Sequence, residues 1–490
     1  MYIRKVKSRG STCFQIGKKQ QGKFMLVKHI GCAASPAAIE ALKIKAREEL
    51  KKHKYLNQLS LLPDTDRQEA KAELLDWKIT GFHRFFGPIY DSIGFPKNFL
   101  RDLVITRVVY PKSKLATARY MTRTLDIPAT KDKIYRFMDT MSKKKLSKIA
   151  RSFVSSKNKG ISVIFYDVTT LYFETDKEDE VRQKGFSKDH RRDVPQILIG
   201  LFVDKDGYPF DYDYFEGKTF EGHTFIRAVN SLLQKHSFKD KDLTIVADAG
   251  MLSNDNLSFL ESKQLSYIVA ARLKNLPQKI IKNILSQDFL SSPTYETSYQ
   301  GKRLIVDYSS KRAKKDQHNR KRLIKALKTK LSKKQTVIRK SKYLKVSGKE
   351  KAMGIDQEKI KQDRQFDGLK GYLSNHLSLL PGEISQQYRN LWQVEKAFRM
   401  SKSDLDLKER PVYHQKEKRI ASHLLLCFCS LLVIKQSEKL LKKTGQSLNG
   451  AIELLADIGE GKASIGKVQI PIEKKPGEKV KKILKIIKGH

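Results

Sequence analysis

The chain has 490 residues, 39% hydrophobic and 9% aromatic, which supplies true cores and excludes a disordered protein. Lys and Arg number 98 against 53 Asp and Glu, and a formal charge of +45 favours polyanionic partners through counterion release. Four cysteines (Cys13, Cys32, Cys427, Cys429) do not make a disulfide framework in so long a chain. The apolar run 423–434 is too short to span a bilayer and reads as a buried helix. The first residues lack the apolar core of a signal peptide, so a reduced, cytoplasmic protein without a membrane is expected.

Residues 1–35 read as a small β unit, with Tyr2–Lys5 and Cys13–Ile16 flanking a Ser-Arg-Gly-Ser turn and Lys23–Val27 following Gln21-Gly22. Residues 36–155 read as helical: an Ala/Leu/Lys/Glu-rich stretch to about 80, then amphipathic segments over 97–155 punctuated by Pro and Gly. Their basic character makes this the expected nucleic-acid-binding region. From 161 the period changes. ISVIFYD, PQILIGLFVD (195–204) and YPFDYDYF (208–215) read as three consecutive strands. A helix over about 221–236, the strand LTIVAD, a helix over 254–263 and the strand 265–273 follow. That order predicts an α/β mixed sheet with the first and fourth strands side by side, and it matches the ribonuclease-H-like fold. The expected catalytic domain is 156–275 joined to 366–415, where FDGLKGYLSN (366–375) reads as a Gly-punctuated strand returning to the sheet. Between them lies a basic insertion, 276–365. Its window 311–345 holds sixteen Lys and Arg and one acid, too dense a charge for a core element and suited to a nucleic-acid backbone. Lys311, Arg312, Lys314, Lys315, Arg320, Lys321 and Arg322 are its expected contacts. Residues 416–490 read as a C-terminal helical region with a basic tail.

Three acids stand apart from the rest. Asp167 and Asp248 each close an apolar strand, and a carboxylate there is costly unless a cation or hydrogen-bond donors satisfy it. Ala247, Ala249 and Gly250 leave room for close approach at Asp248. Glu395 lies in the helical pattern 385–405, where Tyr388, Glu395 and Lys402 recur at intervals of seven and share one stripe, with Arg399 one turn beyond the acid. Hard carboxylate oxygens of this kind suit two Mg²⁺ ions, with Mn²⁺ as a substitute, and paired metals serve phosphoryl transfer. Trp392 and Phe398 read as core. The acidic run 174–180 reads as a solvated loop, Asp211, Asp213 and Glu216 as residues of the third strand, and His190 and His223 as isolated histidines without ligand spacing. Lys188, Arg191 and Arg192 are candidate phosphate contacts near Asp167.

At these residues the chain resembles the DDE-class transposases of bacterial insertion sequences, in the cut-and-paste group with a Tyr-x2-Arg-x3-Glu-x6-Lys motif. Tyr388, Glu395 and Lys402 fall at the required spacing, while Leu391 holds the arginine position and leaves Arg389 or Arg399 as substitutes. The blocks YDVTTLYFE, GFSKDHRRDVPQILIGL, ADAGM and VEKAFRMSKSDLDLKERPVYH occur in family order, and the resemblance runs over roughly 1–436. It implies a magnesium-dependent polynucleotidyl transferase with Asp167, Asp248 and Glu395 as catalytic ligands and Tyr388 and Lys402 holding the backbone. It also implies a mostly β insertion, an N-terminal region that binds terminal inverted repeats, double-stranded target DNA, a homodimer and a nucleoid-associated location. Relatives pass through a hairpin on the second strand. A nuclease or resolvase with the same acids, or an inactive DNA-binding relative, are the alternatives.

Overall fold

The structure is a computed structural model. It describes all residues except Arg9, Gln21, 61–71, Lys159, Glu174, Asp176, 186–192, 236–242, Leu252, 333–341, 347–351, 400–416, 466–467 and 488–490. The chain forms two units: Met1–Gly81 with Arg123–Ile127 and Glu453–Lys481, and Phe82–Thr122 with Pro128–Ile452 and Lys482–His490.

In the first unit, strands β1 (Tyr2–Ser8), β2 (Ser11–Gln20) and β3 (Lys23–Ala33) form the expected antiparallel meander, and the helix Pro36–Ser60 packs on it. Cys13 lies opposite Cys32 across β2 and β3, and their sulfurs are bonded, which corrects the expectation of free thiols for this pair. A second correction concerns residues 72–79, for which Ala, Leu and Glu predict a helix. They form strand β4 (Ala72–Ile79), paired with Gly459–Ile465, which pairs in turn with Val468–Glu473. The same hairpin interrupts the C-terminal region, which the sequence predicts to be wholly helical. Pairing partners almost four hundred residues away override local propensity here.

The second unit is built on one sheet of eight strands among the described residues. These are β5 (Val163–Tyr172), β6 (Gln196–Asp204), β7 (Pro209–Glu216), β8 (Thr244–Ala247), β9 (Ser266–Ala271), β10 (Thr294–Tyr299), β11 (Lys302–Tyr308) and, beyond the short ladder of β12 (Leu344–Val346) with β13 (Ala352–Ile355), β14 (Leu369–Ser374). Their order is β10-β11-β14-β9-β8-β5-β6-β7. β5, β8 and β9 run parallel, and the other neighbours are antiparallel. The expected adjacency of first and fourth strands is present. β8 is buried throughout and β5 nearly so, as strands covered on both faces must be.

Alternation along β5 assigns its two faces. Tyr166 points to one side, where its hydroxyl meets Thr224 on the helix Glu221–Lys235 at 3.2 Å. Thr169 and Leu171, which share Asp167's parity, point to the other and border a small cavity with Phe398, Leu424 and Phe428. Asp167 therefore faces the side of the sheet that carries the helix of Glu395. Behind that helix, Glu417–Leu441 is long and apolar enough to cross a membrane, contrary to the expectation of too short a span. It is buried along nearly its whole length by Phe99–Val109, Lys131–Met138 and Lys143–Asn158 and serves the core as expected.

The insertion joins this sheet through β10 and β11, the latter pairing with β14. Among its described residues it is not mostly β, because its basic segment folds as the helix Ser310–Ser332. Ala313, Asp316, Arg320, Ile324 and Leu327 form its inner stripe at helical spacing, and most of its cations point outward. The helix seats against Gly368, whose φ is +82° and where a Cβ would stand 2.6 Å from the Tyr308 ring, so only glycine suits the position. The Gly368 amide donates to Asp316 at 3.1 Å.

Candidate active site

β8 ends at Ala247, opposite Tyr166 of β5, so Asp248 and Asp167 come next on adjacent parallel strands about 4.8 Å apart. Asp167 does not close its strand, which corrects the sequence expectation. β5 continues to Tyr172 along β6, and it is β8 that stops, at Ala247. The carboxyl ends of parallel strands are where ligands collect. Backbone donors orient both acids: Val168 N–H to Asp167 Oδ1 at 2.8 Å, and Gly250 N–H to Asp248 Oδ1 at 2.8 Å.

The third acid comes from a broken helix. Pro381–Arg389 and Trp392–Arg399 are separate, joined at Asn390-Leu391 by i→i+3 bonds from Leu391 to Tyr388, Gln393 to Asn390 and Val394 to Leu391. The single stripe of sevens is thus corrected, because the tight turn resets the helical phase between Tyr388 and Glu395. Val394, Ala397 and Phe398 bury one face against the sheet and leave Glu395 exposed. Phe398 is core, as expected. Trp392 is not, with half its surface exposed (51%) one turn before Glu395.

Tyr388 is the point of convergence. It is buried, and burial first, then the charges of Asp248, Glu395 and Asp167, raise its hydroxyl pKa above the usual range, with Arg312 opposing. The charges of three acids from three elements thus bear on one phenol, and that of Arg312 on the basic helix opposes them. The Tyr388 ring packs on Tyr372 of β14 at 4.9 Å, with Lys370 Nζ 4.1 Å from its centroid. Burial and the charge of Arg312 push the Lys370 ammonium down to about 8, while Asp307, Glu395 and Asp248 pull the other way. Buried Asp307 of β11 accepts from the Tyr372 hydroxyl at 3.1 Å and from Arg389 Nη2 at 2.6 Å, which ties the Tyr388 helix to the sheet.

Lys370 and Asp307 escape a reading of the sequence. One lies in a short strand and the other beside a dense cationic run, and neither carries a motif. Arg389 pairs with Asp307 while its side chain stays largely exposed, and Leu391, at the motif's arginine position, is core. Arg320, expected on DNA, is turned inward instead. Its side chain is only 9% exposed and both its terminal nitrogens bond Asp367 at 2.5 Å. Lys311, Arg312, Lys314, Lys315, Lys321 and Arg322 are exposed. Lys188, Arg191, Arg192, His190 and Lys402 lie outside the described residues, as does the side chain of Arg399. The competing acids are engaged elsewhere: Asp211 by Ser147, Asp213 by Lys143 and Lys235, Glu216 by Arg227. A cavity of about 440 Å³ beside β14 is lined by Lys274, Lys342, Arg320 and Lys370; Asp363 pairs with both Lys274 and Lys342, and Asp367 with Arg320.

Carboxylate oxygens are the donors a hard divalent cation prefers, and in that respect Asp167, Asp248 and Glu395 fit one. Among the described residues no three His, Cys, Asp or Glu side chains are gathered closely enough to hold an ion.

An α/β sheet with acids on and just after two adjacent parallel strands defines a class of protein, and the sequence match gives its family. The family model for the transposase DDE domain matches residues 158–433. The chain belongs to that family and is a DNA transposase. Among solved structures it is similar to a piggyBac transposase synaptic complex with hairpin DNA, at 11% identity and a TM-score of 0.39, covering 77% of this chain and 76% of that one. It is also similar to a Mos1 transposase paired-end complex with the left transposon end, at 10% identity and a TM-score of 0.17, covering 32% of this chain and 53% of that one. No curated protein matches the chain.

Proposed function

We propose that this transposase cleaves and joins the DNA ends of an insertion sequence at a site formed by Asp167, Asp248 and Glu395. The observation that carries the reading is the adjacency of parallel strands β5 and β8, which sets Asp167 beside Asp248, with the helix of Glu395 packed on β5. The order β7-β6-β5-β8-β9, with β6 antiparallel and β5, β8 and β9 parallel, supports a ribonuclease-H-like core. Divalent metal ions held by these three carboxylates would activate water or a 3′-hydroxyl and neutralise the leaving oxygen. The protein's own groups orient the acids through the Val168 and Gly250 amides and present the exposed cations of the Ser310–Ser332 helix to the DNA backbone. Terminal inverted repeats and target DNA are the double-stranded substrates, and a cytoplasmic dimer on DNA is the working assembly.

Asp167→Asn, Asp248→Asn and Glu395→Gln should each stop cleavage of a supercoiled plasmid carrying the gene's flanking DNA, while binding of that DNA in EDTA stays near wild type. Full cleavage by any of the three would remove that acid from the site. Cuts without joined ends in the wild-type reaction would favour a nuclease.

A further inference from the structure

Lys370 is a cation that no motif assigns. It lies on β14, paired in register with Asp307 of β11, yet the Asp307 carboxylate is taken up by Tyr372 and Arg389. Among the described residues Lys370 makes no ion pair. Its ammonium rests over the Tyr388 ring at 4.1 Å and near the Tyr372 ring at 5.9 Å, within electrostatic reach of Asp248 and Glu395. An ammonium that is half-buried and held on aromatic faces loses hydration, and an incoming anion restores the lost interaction. The anion that comes to these carboxylates during the reaction is a DNA phosphodiester.

We infer that Lys370 binds the DNA phosphate at the acid site, holding the backbone beside Asp248 and Glu395 from the Tyr388 side. The inference rests on the proposed active site. Three fixed features aim the lysine: the β14 register, the Tyr388 ring and the Asp307–Arg389 pair that holds the Tyr388 helix. Arg312, at the start of the basic helix, acts electrostatically on both Lys370 and Tyr388.

Lys370→Met keeps the aliphatic stem on the ring and removes the charge, and Lys370→Arg restores the charge. In the full-length protein, binding of a duplex of the gene's flanking DNA is measured in EDTA against KCl concentration. With one phosphate fewer neutralised, the slope of log affinity against log salt is expected to fall by about 0.9 in Lys370→Met. With Mg²⁺ restored, single-turnover cleavage should fall about 100-fold in Lys370→Met, the scale of losing one preorganised donor, and recover at least partly in Lys370→Arg. A wild-type salt slope in Lys370→Met overturns the inference, whether or not cleavage falls, because the lysine would then act only by packing Tyr388. Should the Met variant fail to fold, Lys370→Gln replaces it in the same titration. Asp167→Asn separates the two levels: if it cleaves normally the active-site assignment fails, and if it is dead while Lys370→Met matches wild type in slope and rate, only the lysine's role fails.

Discussion

Gly250 donates its amide to Asp248 Oδ1, and a methyl group at its Cα would stand 2.9 Å from that same oxygen. The nearest atom belongs to a short carboxylate side chain that can rotate, and the backbone at 250 is not left-handed, so Gly250→Ala displaces the acid without straining the chain. Cleavage is expected to fall about 10- to 100-fold, in line with the cost of misplacing a reacting group by a fraction of its working geometry. Stability should change by less than about 1 kcal/mol. Single-turnover cleavage and a thermal melt on the same preparation check both parts, and a large drop in melting temperature with unchanged cleavage would contradict the assignment. Sequence alone marks Asp248 by its small neighbours. It does not show that one of those neighbours aims the acid, because that depends on the turn that begins at Asp248.

Elements that meet across long chain separations place charges where local pattern does not expect them. Lys114 begins the helix Lys114–Thr124 and is buried, with Nζ 3.1 Å from His423 Nδ1 on the Glu417–Leu441 helix. Burial first and Arg107 second push its pKa down to about 7, and Cys427 opposes them. An unfolded lysine titrates near 10.4. As pH falls from about 10.4 to about 7, the unfolded chain takes up a proton that the folded chain refuses, so this group lowers stability through that window and no further below it. Lys114→Met is expected to flatten the dependence of melting temperature on pH between about 7.5 and 10. An unchanged slope would show that the lysine is charged in the folded protein. The same element-scale coupling explains the broken helix at Asn390-Leu391. The interval of seven is a sound local signal, but Tyr388 is fixed by β14 and β11 while Glu395 is fixed by β5 and β6, and a tight turn lets each helix meet its own strands.

At the scale of the molecule, the charge of +45 is not spread evenly in its use. Some cations of the basic insertion are consumed internally, as Arg320 is by Asp367 and Lys342 by Asp363. Others on the same helix face outward: Lys311, Lys314, Lys315 and Lys321. Replacing these four by Gln should lower the slope of log affinity against log salt by about 0.9 for each phosphate left unneutralised, with little change in melting temperature. Arg320→Gln should do the reverse, lowering the melting temperature and leaving the slope unchanged, because it leaves the Asp367 carboxylate without its partner. Salt titrations and melts on both variants make the comparison.

Residue chemistry, strand order and the spacing of the acids are legible in the amino-acid string, because burial imposes a period of two on strands and 3.6 on helices wherever an element meets the core. They yield six of the eight strands of the sheet, though not β10 and β11, together with the acids Asp167, Asp248 and Glu395 and a family resemblance that the match over 158–433 supports. Tertiary structure alone decides which strand stops beside Asp167, that Cys13 meets Cys32, that residues 72–79 pair with 459–465, and that Lys370 and Asp307 stand around Tyr388. Those outcomes depend on contacts between segments tens to hundreds of residues apart. The energy of each is set by burial and charge summed over partners that no local window contains.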